Sequence, residues 1–360
     1  MVFDVWSATD DVVVSWMPMT GGVPAHVTAL NAETGQRRWS QPTGGRVCRA
    51  TAVDRDELYC VLHGSAVWKI RMQDGAVLWR TTLALASGRC PAIDAHAVYA
   101  IDWEGSSSTR VKGGRTHARD GRLNALDRET GAVIWRREFQ RSLVGIAAGH
   151  NDIYAAVSGG PLYSLQREDG ATGWENDDIV CFSAPAVFGE HVVVPGLSSV
   201  FKVRADDGGI VWKQPLNRGR LVARGLTQAA EVVSVVDARG SLHALDLSTG
   251  TRLWKWSPPA KTESWRRPPY AWTADDNLVA IVGKPASKPT TADVVVIASQ
   301  DGSGTEIGEL NGRVSDGIAV RGMTVFVIVG ERSVVALNVG AVNRSPEGDT
   351  QGEKVTIPIF

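Results

Sequence analysis

One short phrase returns six times along this chain and limits the folds that it can adopt. Each copy has an apolar or small residue, a polar turn that ends in glycine, and a tryptophan four residues after that glycine. Successive copies lie 38 to 42 residues apart, except for one interval of 56, and their glycines are Gly35, Gly75, Gly131, Gly170, Gly208 and Gly250. Repetition at such a period indicates a fold built from stacked, equivalent units.

Each phrase has the sequence pattern of a β-hairpin. Short apolar runs flank a turn rich in Asp, Glu, Ser and Thr, as in residues 123–126 and 133–135. Glycine suits a turn position that needs a positive φ. The tryptophan offers an apolar face whose full burial contributes about 1.5–3 kcal/mol. A lone hairpin cannot cover that face, so neighbouring units must pack on one another.

The period predicts the architecture. About 40 residues hold four short strands, which is the size of one propeller blade. We therefore expect an all-β, single-domain, eight-bladed β-propeller of four-stranded antiparallel blades, with seven blades as the fallback. The pattern weakens after Trp254, and Glu306 stands where the next tryptophan is expected. The expected blades cover residues 3–42, 46–84, 88–140, 143–179, 181–217, 221–258, 269–310 and 314–360.

The phrase A-x-D-x-x-x-G-x-x-x-W resembles the tryptophan-docking motif of the PQQ-like β-propeller family. That family includes the quinoprotein dehydrogenases and the bacterial outer-membrane assembly lipoprotein. The resemblance is strong over residues 3–256 and weak afterwards. It implies that one tryptophan of each unit docks between blades, at Trp39, Trp79, Trp135, Trp174, Trp212 and Trp254. It implies little about chemistry, because one fold carries many functions.

The cysteines argue against quinone catalysis. Quinoprotein alcohol dehydrogenases hold PQQ above a disulfide of adjacent cysteines, whereas Cys48, Cys60, Cys90 and Cys181 are all isolated in this sequence. We therefore expect no cofactor, PQQ included. Cys48 and Cys60 flank one hairpin turn and could be cross-strand neighbours, but we expect all four thiols to be free and mostly buried.

Composition excludes some classes of partner. The formal net charge of −1 argues against a nucleic-acid-binding surface, and no apolar run is long enough to span a bilayer. The seven histidines show no metal-ligand spacing, so we expect no metal site. Met1 leads almost directly into a strand without a signal pattern. We expect a cytoplasmic protein, or an exported or periplasmic one if a signal has been removed.

Binding residues are expected on the face that carries the loops between blades. Arginines recur just before the inner strands, and the loop of residues 254–272 combines Trp, Tyr, Pro and Arg, the composition of binding hot spots. The structural alternatives are solvated arginines and a lid over the seventh blade. The candidates are Trp256, Trp265, Arg266, Arg267, Tyr270, Arg46, Arg89, Arg218, Arg313, Trp103, Glu104 and His63.

The leading functional hypothesis is a non-catalytic bacterial scaffold that presents its loop face to a protein or to a small anionic or aromatic ligand. No nucleophile elbow, phosphate loop or zinc signature occurs in the sequence. The alternative is an enzyme whose active site lies at the channel mouth and leaves no linear motif. A quinoprotein dehydrogenase is the third and least favoured hypothesis.

Overall fold

The computed structural model describes most of the chain. Its description leaves out residues 1, 9, 18–23, 45–47, 63–65, 85–88, 104–120, 217–220, 230, 238–240, 258–269, 275–276, 284–290, 299–300, 312–313, 330–332, 339–353 and 359–360. No helix within the described residues is long and apolar enough to cross a membrane.

The described strands form eight four-stranded antiparallel sheets, here called blades 1 to 8 in chain order. Blades 1 to 4 consist of β1 (Val2–Ala8), β2 (Asp11–Trp16), β3 (His26–Asn31), β4 (Arg37–Pro42); β5 (Cys48–Asp54), β6 (Glu57–Leu62), β7 (Ala66–Arg71), β8 (Val77–Thr82); β9 (Ala92–Ile93), β10 (Ala97–Trp103), β11 (Gly121–Asp127), β12 (Val133–Phe139); and β13 (Leu143–Ala148), β14 (Asp152–Val157), β15 (Leu162–Gln166), β16 (Thr172–Asn176). Blades 5 to 8 consist of β17 (Ala186–Phe188), β18 (His191–Pro195), β19 (Ser199–Arg204), β20 (Ile210–Pro215); β21 (Leu221–Ala229), β22 (Val232–Asp237), β23 (Leu242–Asp246), β24 (Arg252–Trp256); β25 (Tyr270–Ala274), β26 (Asn277–Gly283), β27 (Thr291–Ala298), β28 (Gly304–Asn311); and β29 (Val314–Arg321), β30 (Thr324–Val329), β31 (Ser333–Asn338), β32 (Lys354–Pro358). The predicted all-β propeller fold of four-stranded antiparallel blades is confirmed.

The chain divides into two compact units. One unit holds Gln41–Lys213 and so contains blades 2 to 4 with nearly all of blade 5, and the other holds Met1–Ser40 together with Gln214–Phe360. Within the second of these, buried residues of blade 8 such as Phe326 and Ile328 pack with Val12 and Val14 of blade 1. The last blade therefore packs directly on the first.

Within the unit of blades 2 to 5, the two faces of each sheet pack on different neighbours. Val98 and Ala100 of β10 join Tyr59 and Trp79 of blade 2 in one buried cluster. Alternate residues of the same strand, such as Tyr99, join the core that blade 3 shares with blade 4. The period-two pattern of the strands thus produces cores between blades, because successive side chains point to opposite faces of a sheet.

The repeated hairpin turn has the predicted backbone. All six glycines of the phrase have φ between 69° and 75°, and Gly302 of blade 7 has φ 73°. An acidic or amide side chain caps each turn from one of two positions. The capping residue stands either four residues before the glycine, as Asp127 does, or directly before it, as Asp169 does. In both positions its side-chain oxygen accepts hydrogen bonds from backbone N–H groups of the turn.

The same glycines also contact the tryptophan of the preceding blade. The Trp135 indole lies against Gly170, where an added Cβ would come within 2.8 Å of the ring. Its Nε1–H donates a 2.6 Å hydrogen bond to the carbonyl of Arg167. Trp79 and Trp174 make the same contacts with the next blade. Each described junction of this kind therefore combines an apolar stack with one directed hydrogen bond.

The expectation of four free cysteines is wrong. Cys48 at the start of β5 and Cys60 in β6 form a disulfide with a Cα–Cα distance of 6.0 Å. A bulge in β5 between Cys48 and Ala50 brings the two residues into diagonal positions on the paired strands, a relation that sequence spacing alone does not reveal. Cys181 is free and buried as expected, whereas Cys90 is free but exposed.

Candidate functional site

Four of the twelve predicted binding residues lie within the described part of the chain. Eight lie outside the described residues, namely Arg46, His63, Glu104, Arg218, Trp265, Arg266, Arg267 and Arg313. The backbones of Trp103 and Tyr270 lie in β10 and β25. Arg89 is exposed in the segment that leads into β9.

Trp256 is part of a junction between blades. It is partly buried and packs against the cluster that joins Val236 and Leu242 of blade 6 to Val295 and Ile297 of blade 7. An added Cβ at Gly304 would lie 2.8 Å from its Nε1. Trp256 thus packs at a junction between blades and against a glycine of the next blade, as Trp79, Trp135 and Trp174 do. The sequence pattern did not predict this position for Trp256.

The loop face carries an apolar patch in blade 5. Within the described part of the chain, large exposed hydrophobic residues occur in two settings. Most lie in outer strands within two residues of the motif tryptophan, as Ile134 does at 48 % exposure. Val180 and Leu197 instead lie in loops, with 43 % and 50 % exposure. We call these two residues the loop patch.

Hydrogen bonds hold the two loops together and make the patch one surface. Cys181 and Gly196 form an isolated antiparallel bridge, which places Val180 opposite Leu197. Cys181 also exchanges two 2.8 Å backbone bonds with blade 4, since its N–H donates to Gly160 and its carbonyl accepts from Gly159. The patch therefore lies on an ordered backbone.

Exposed charged residues lie on segments that adjoin the loop patch. Arg141 donates a 2.6 Å hydrogen bond to the carbonyl of Gly159 and is exposed. Asp177 and Asp178, just before Val180 in the chain, are exposed as well. An apolar centre with a polar, charged rim is the usual anatomy of a protein-binding surface. The candidate list missed Val180 and Leu197, because only the bridge between their loops makes two ordinary aliphatic residues into a patch.

A second feature is a charged groove between blades 2 and 3, on the face that carries the hairpin turns. It has a volume of about 880 Å³ and is lined by Asp54, Asp56, Glu57, Asp94 and Glu129 together with arginine and apolar residues. The corresponding groove between blades 8 and 1 has a volume of about 690 Å³. Its lining includes Arg321, Thr324 and Ala32. The equivalent positions of blades 2 and 3 hold Asp54, Glu57 and Arg128. The acidity of the groove between blades 2 and 3 is therefore not a property of the repeat.

Two basic residues organise the acidic side chains of this groove. Lys69 is buried, and its Nζ lies 2.7 Å from Glu57 and 3.1 Å from the carbonyl of Arg128. Arg128 reaches from blade 3 to blade 2, where it donates to Glu57, Asp54 and the Tyr59 hydroxyl. Burial acts to raise the pKa of Glu57, but hydrogen bonds from Lys69, Tyr59 and Arg128 hold it below its usual value. Burial and the neighbouring carboxylate raise the pKa of Tyr59.

This arrangement joins blades 2 and 3 through both oxygens of Glu57. Each oxygen of the Glu57 carboxylate already accepts from Lys69, or from Tyr59 and Arg128. A general base needs an oxygen within hydrogen-bond reach of a substrate proton. Arg167 makes an equivalent contact between blades 4 and 3, where its Nη1 lies 3.1 Å from the Asp94 carboxylate. Among the residues that the structure describes, no group of three or more His, Cys, Asp or Glu side chains could hold a metal ion.

Curated relatives point to one family. The chain is 27% identical over 168 residues to the outer membrane protein assembly factor BamB of Pseudomonas aeruginosa, covering 46% of this chain and 43% of the relative. It is 24% identical over 248 residues to the factor of the same name in Shewanella oneidensis, covering 64% and 58%. The chain thus matches less than half the length of the Pseudomonas protein.

Solved structures share the fold. BamB from Moraxella catarrhalis superposes with a TM-score of 0.64 at 15% identity and covers 93% of both chains. The computationally designed Ika8 protein superposes with a TM-score of 0.70 at 12% identity, covering 93% of this chain and 95% of the other. At such identities the likeness concerns the fold alone.

The profile of one protein family matches most of the sequence. Residues 8–116 and 119–284 match the profile described as outer membrane protein assembly factor BamB, which is built on PQQ-like repeats. The predicted resemblance to the PQQ-like β-propeller family is thereby confirmed. The chain belongs to the family of the outer membrane protein assembly factor BamB.

Proposed function

We propose that this protein is a non-catalytic scaffold that assists the assembly of outer membrane proteins by binding a protein partner through the loop patch. The observation that carries the proposal is the exposed pair Val180 and Leu197 on an ordered loop surface. An exposed aliphatic pair with charged neighbours supports a protein interface, because burying the pair against a partner is favourable. Membership of the assembly-factor family supports the same function.

The family also supports a scaffold without a cofactor. The relatives are named for assembly, and in the charged groove between blades 2 and 3 Arg128 is hydrogen-bonded to Asp54 and Glu57. A small-molecule ligand on the loop face stays a prediction that nothing in the described residues favours.

We propose an exported or periplasmic location instead of a cytoplasmic one. The printed name of the relatives concerns outer membrane proteins, which are assembled outside the cytoplasm. The Cys48–Cys60 disulfide supports this location, since disulfides persist in oxidising compartments such as the bacterial periplasm.

Charged substitutions in the loop patch test the proposal. Val180→Asp and Leu197→Asp should each weaken partner binding roughly tenfold or more, because a carboxylate replaces buried apolar area at the interface centre. Ile134→Asp is the matched control, since Ile134 is equally exposed but lies in an outer strand. Binding is measured by co-purification from membranes of the source bacterium, together with the steady-state level of its outer membrane proteins. Equal binding by all three variants, with unchanged melting temperatures, would contradict the proposal.

A further inference from the structure

We infer that the disulfide between Cys48 and Cys60 stabilises blade 2, so that the full stability of the protein depends on a thiol oxidant of an oxidising compartment. This inference goes beyond the proposed function and holds whether or not the loop patch binds a partner. It rests on the position of the disulfide, on the residues that replace it in other blades, and on the turn of the same hairpin.

The disulfide joins the two strands of the inner hairpin of blade 2. Both cysteines are fully buried, and the bond closes a chain segment with a sequence separation of 12. The Cα–Cα distance of 6.0 Å lies within the usual range for bonded cysteines. A cross-link of this kind stabilises mainly by restricting the unfolded chain.

Other blades fill the same two positions with apolar residues. By strand register, Cys48 and Cys60 correspond to Leu143 and Ala155 of blade 4. They correspond to Val2 and Val14 of blade 1. Apolar packing is therefore sufficient to hold a hairpin of this shape in blades 1 and 4. In blade 2 a covalent bond stands at the same two positions.

The hairpin of blade 2 also has a turn that needs support. Arg55 has φ 51°, the one described residue other than glycine with a positive φ. The corresponding turns of blades 5 and 8 have Gly189 and Gly322 at that position, with φ 58° and 50°. A side chain there is disfavoured by contact with the backbone. The same two strands carry Asp54 and Glu57, which bind Arg128 of blade 3, so loosening of the hairpin would extend to the junction between blades 2 and 3.

The oxidation is a two-electron exchange. The two thiols of Cys48 and Cys60 lose two protons and two electrons and form one S–S bond. The oxidant is a thiol–disulfide oxidoreductase, whose own disulfide is reduced to two thiols. Cys90 and Cys181 take no part, since they are free in the folded chain.

Thiol counting tests whether the bond forms. The full chain is purified from an oxidising compartment, denatured with an alkylating agent, and weighed by mass spectrometry. We expect two alkyl groups without reductant and four after reduction. Four groups without reductant would overturn the inference.

Melting temperatures test what the bond does. The protein is unfolded and refolded with and without reductant, because the buried bond is protected in the folded state. We expect the reduced form to melt about 5 °C lower. The double variant Cys48→Val/Cys60→Val, which copies blade 1, should melt at one temperature under both conditions. Cys90→Ser/Cys181→Ala should retain the difference. Equal melting of the oxidised and reduced wild-type forms would overturn the dependence on oxidation.

Discussion

At the scale of single residues, the glycine of the repeat has two functions. Its positive φ was predictable from the sequence, because the turn chemistry is local. Its contact with a tryptophan about 35 residues earlier was not predictable from the turn, since it depends on how blades pack. Gly170 shows both properties, with φ 73° and the Trp135 ring against its Cα.

Substitution of Gly170 separates these two functions. Gly170→Ala should reduce the free energy of unfolding by about 2–4 kcal/mol, because it adds backbone strain and forces a methyl group into the indole. Gly189→Ala has nearly the same strain but nothing within 4 Å of the new Cβ, and should cost only about 1 kcal/mol. Urea unfolding measures both. Equal losses would show that the indole contact contributes nothing.

Glu57 is a residue whose charge state affects stability. Burial opposes its ionisation, yet hydrogen bonds from Lys69, Tyr59 and Arg128 lower its pKa on folding. A lowered folded-state pKa contributes stability above the unfolded-state pKa, near 4.5, and that contribution is lost as the pH falls through the folded-state pKa.

The Glu57→Gln variant should therefore be less stable than wild type at pH 7 and should approach it in acid. We expect a difference of about 1–3 kcal/mol near neutrality, since Lys69 loses its charged partner. Melting temperatures between pH 3 and pH 7 provide the comparison. A difference that stays constant across this range would contradict the role of the carboxylate.

At the scale of structural elements, the hairpins could be predicted and their irregularities could not. The inner strand of blade 3 has two residues, Ala92–Ile93, where a full strand was expected. In blade 7 the register shift between the third and fourth strands falls at Val294/Val295, two residues further from the turn than in blade 6. Such features follow from contacts between blades, which single-strand periodicity does not contain.

Arg128 of blade 3 links its blade to blade 2 through hydrogen bonds to Asp54 and Glu57. Arg128→Ala should reduce the free energy of unfolding by about 2–4 kcal/mol, because Glu57 and Asp54 lose their shared partner. Arg128→Lys should recover little, since an ammonium cannot reproduce the several directed bonds of the guanidinium. Arg136→Ala, an exposed arginine of the same blade, is the control and should change stability by less than about 0.5 kcal/mol. Similar losses for Arg128→Ala and Arg136→Ala, measured by urea unfolding, would contradict the link.

At the scale of the whole molecule, the repeat determined the fold class and left the binding surface open. A pattern that recurs in every blade identifies what the blades share, whereas a binding site depends on what one blade does alone. The proposed pair, Val180 and Leu197, lies in two loops that the bridge between Cys181 and Gly196 brings together. Of the residues proposed from composition, Trp256 instead packs between blades 6 and 7.

We propose that the partner binds at the loop patch. A photo-crosslinking amino acid placed at position 197 in the source bacterium tests it most directly, with the same amino acid at position 134 as the control. We predict that position 197 captures an outer membrane protein or a component that assembles such proteins, identified by mass spectrometry, and that position 134 does not. Capture of that protein from position 134 alone, or from neither position, would contradict the claim.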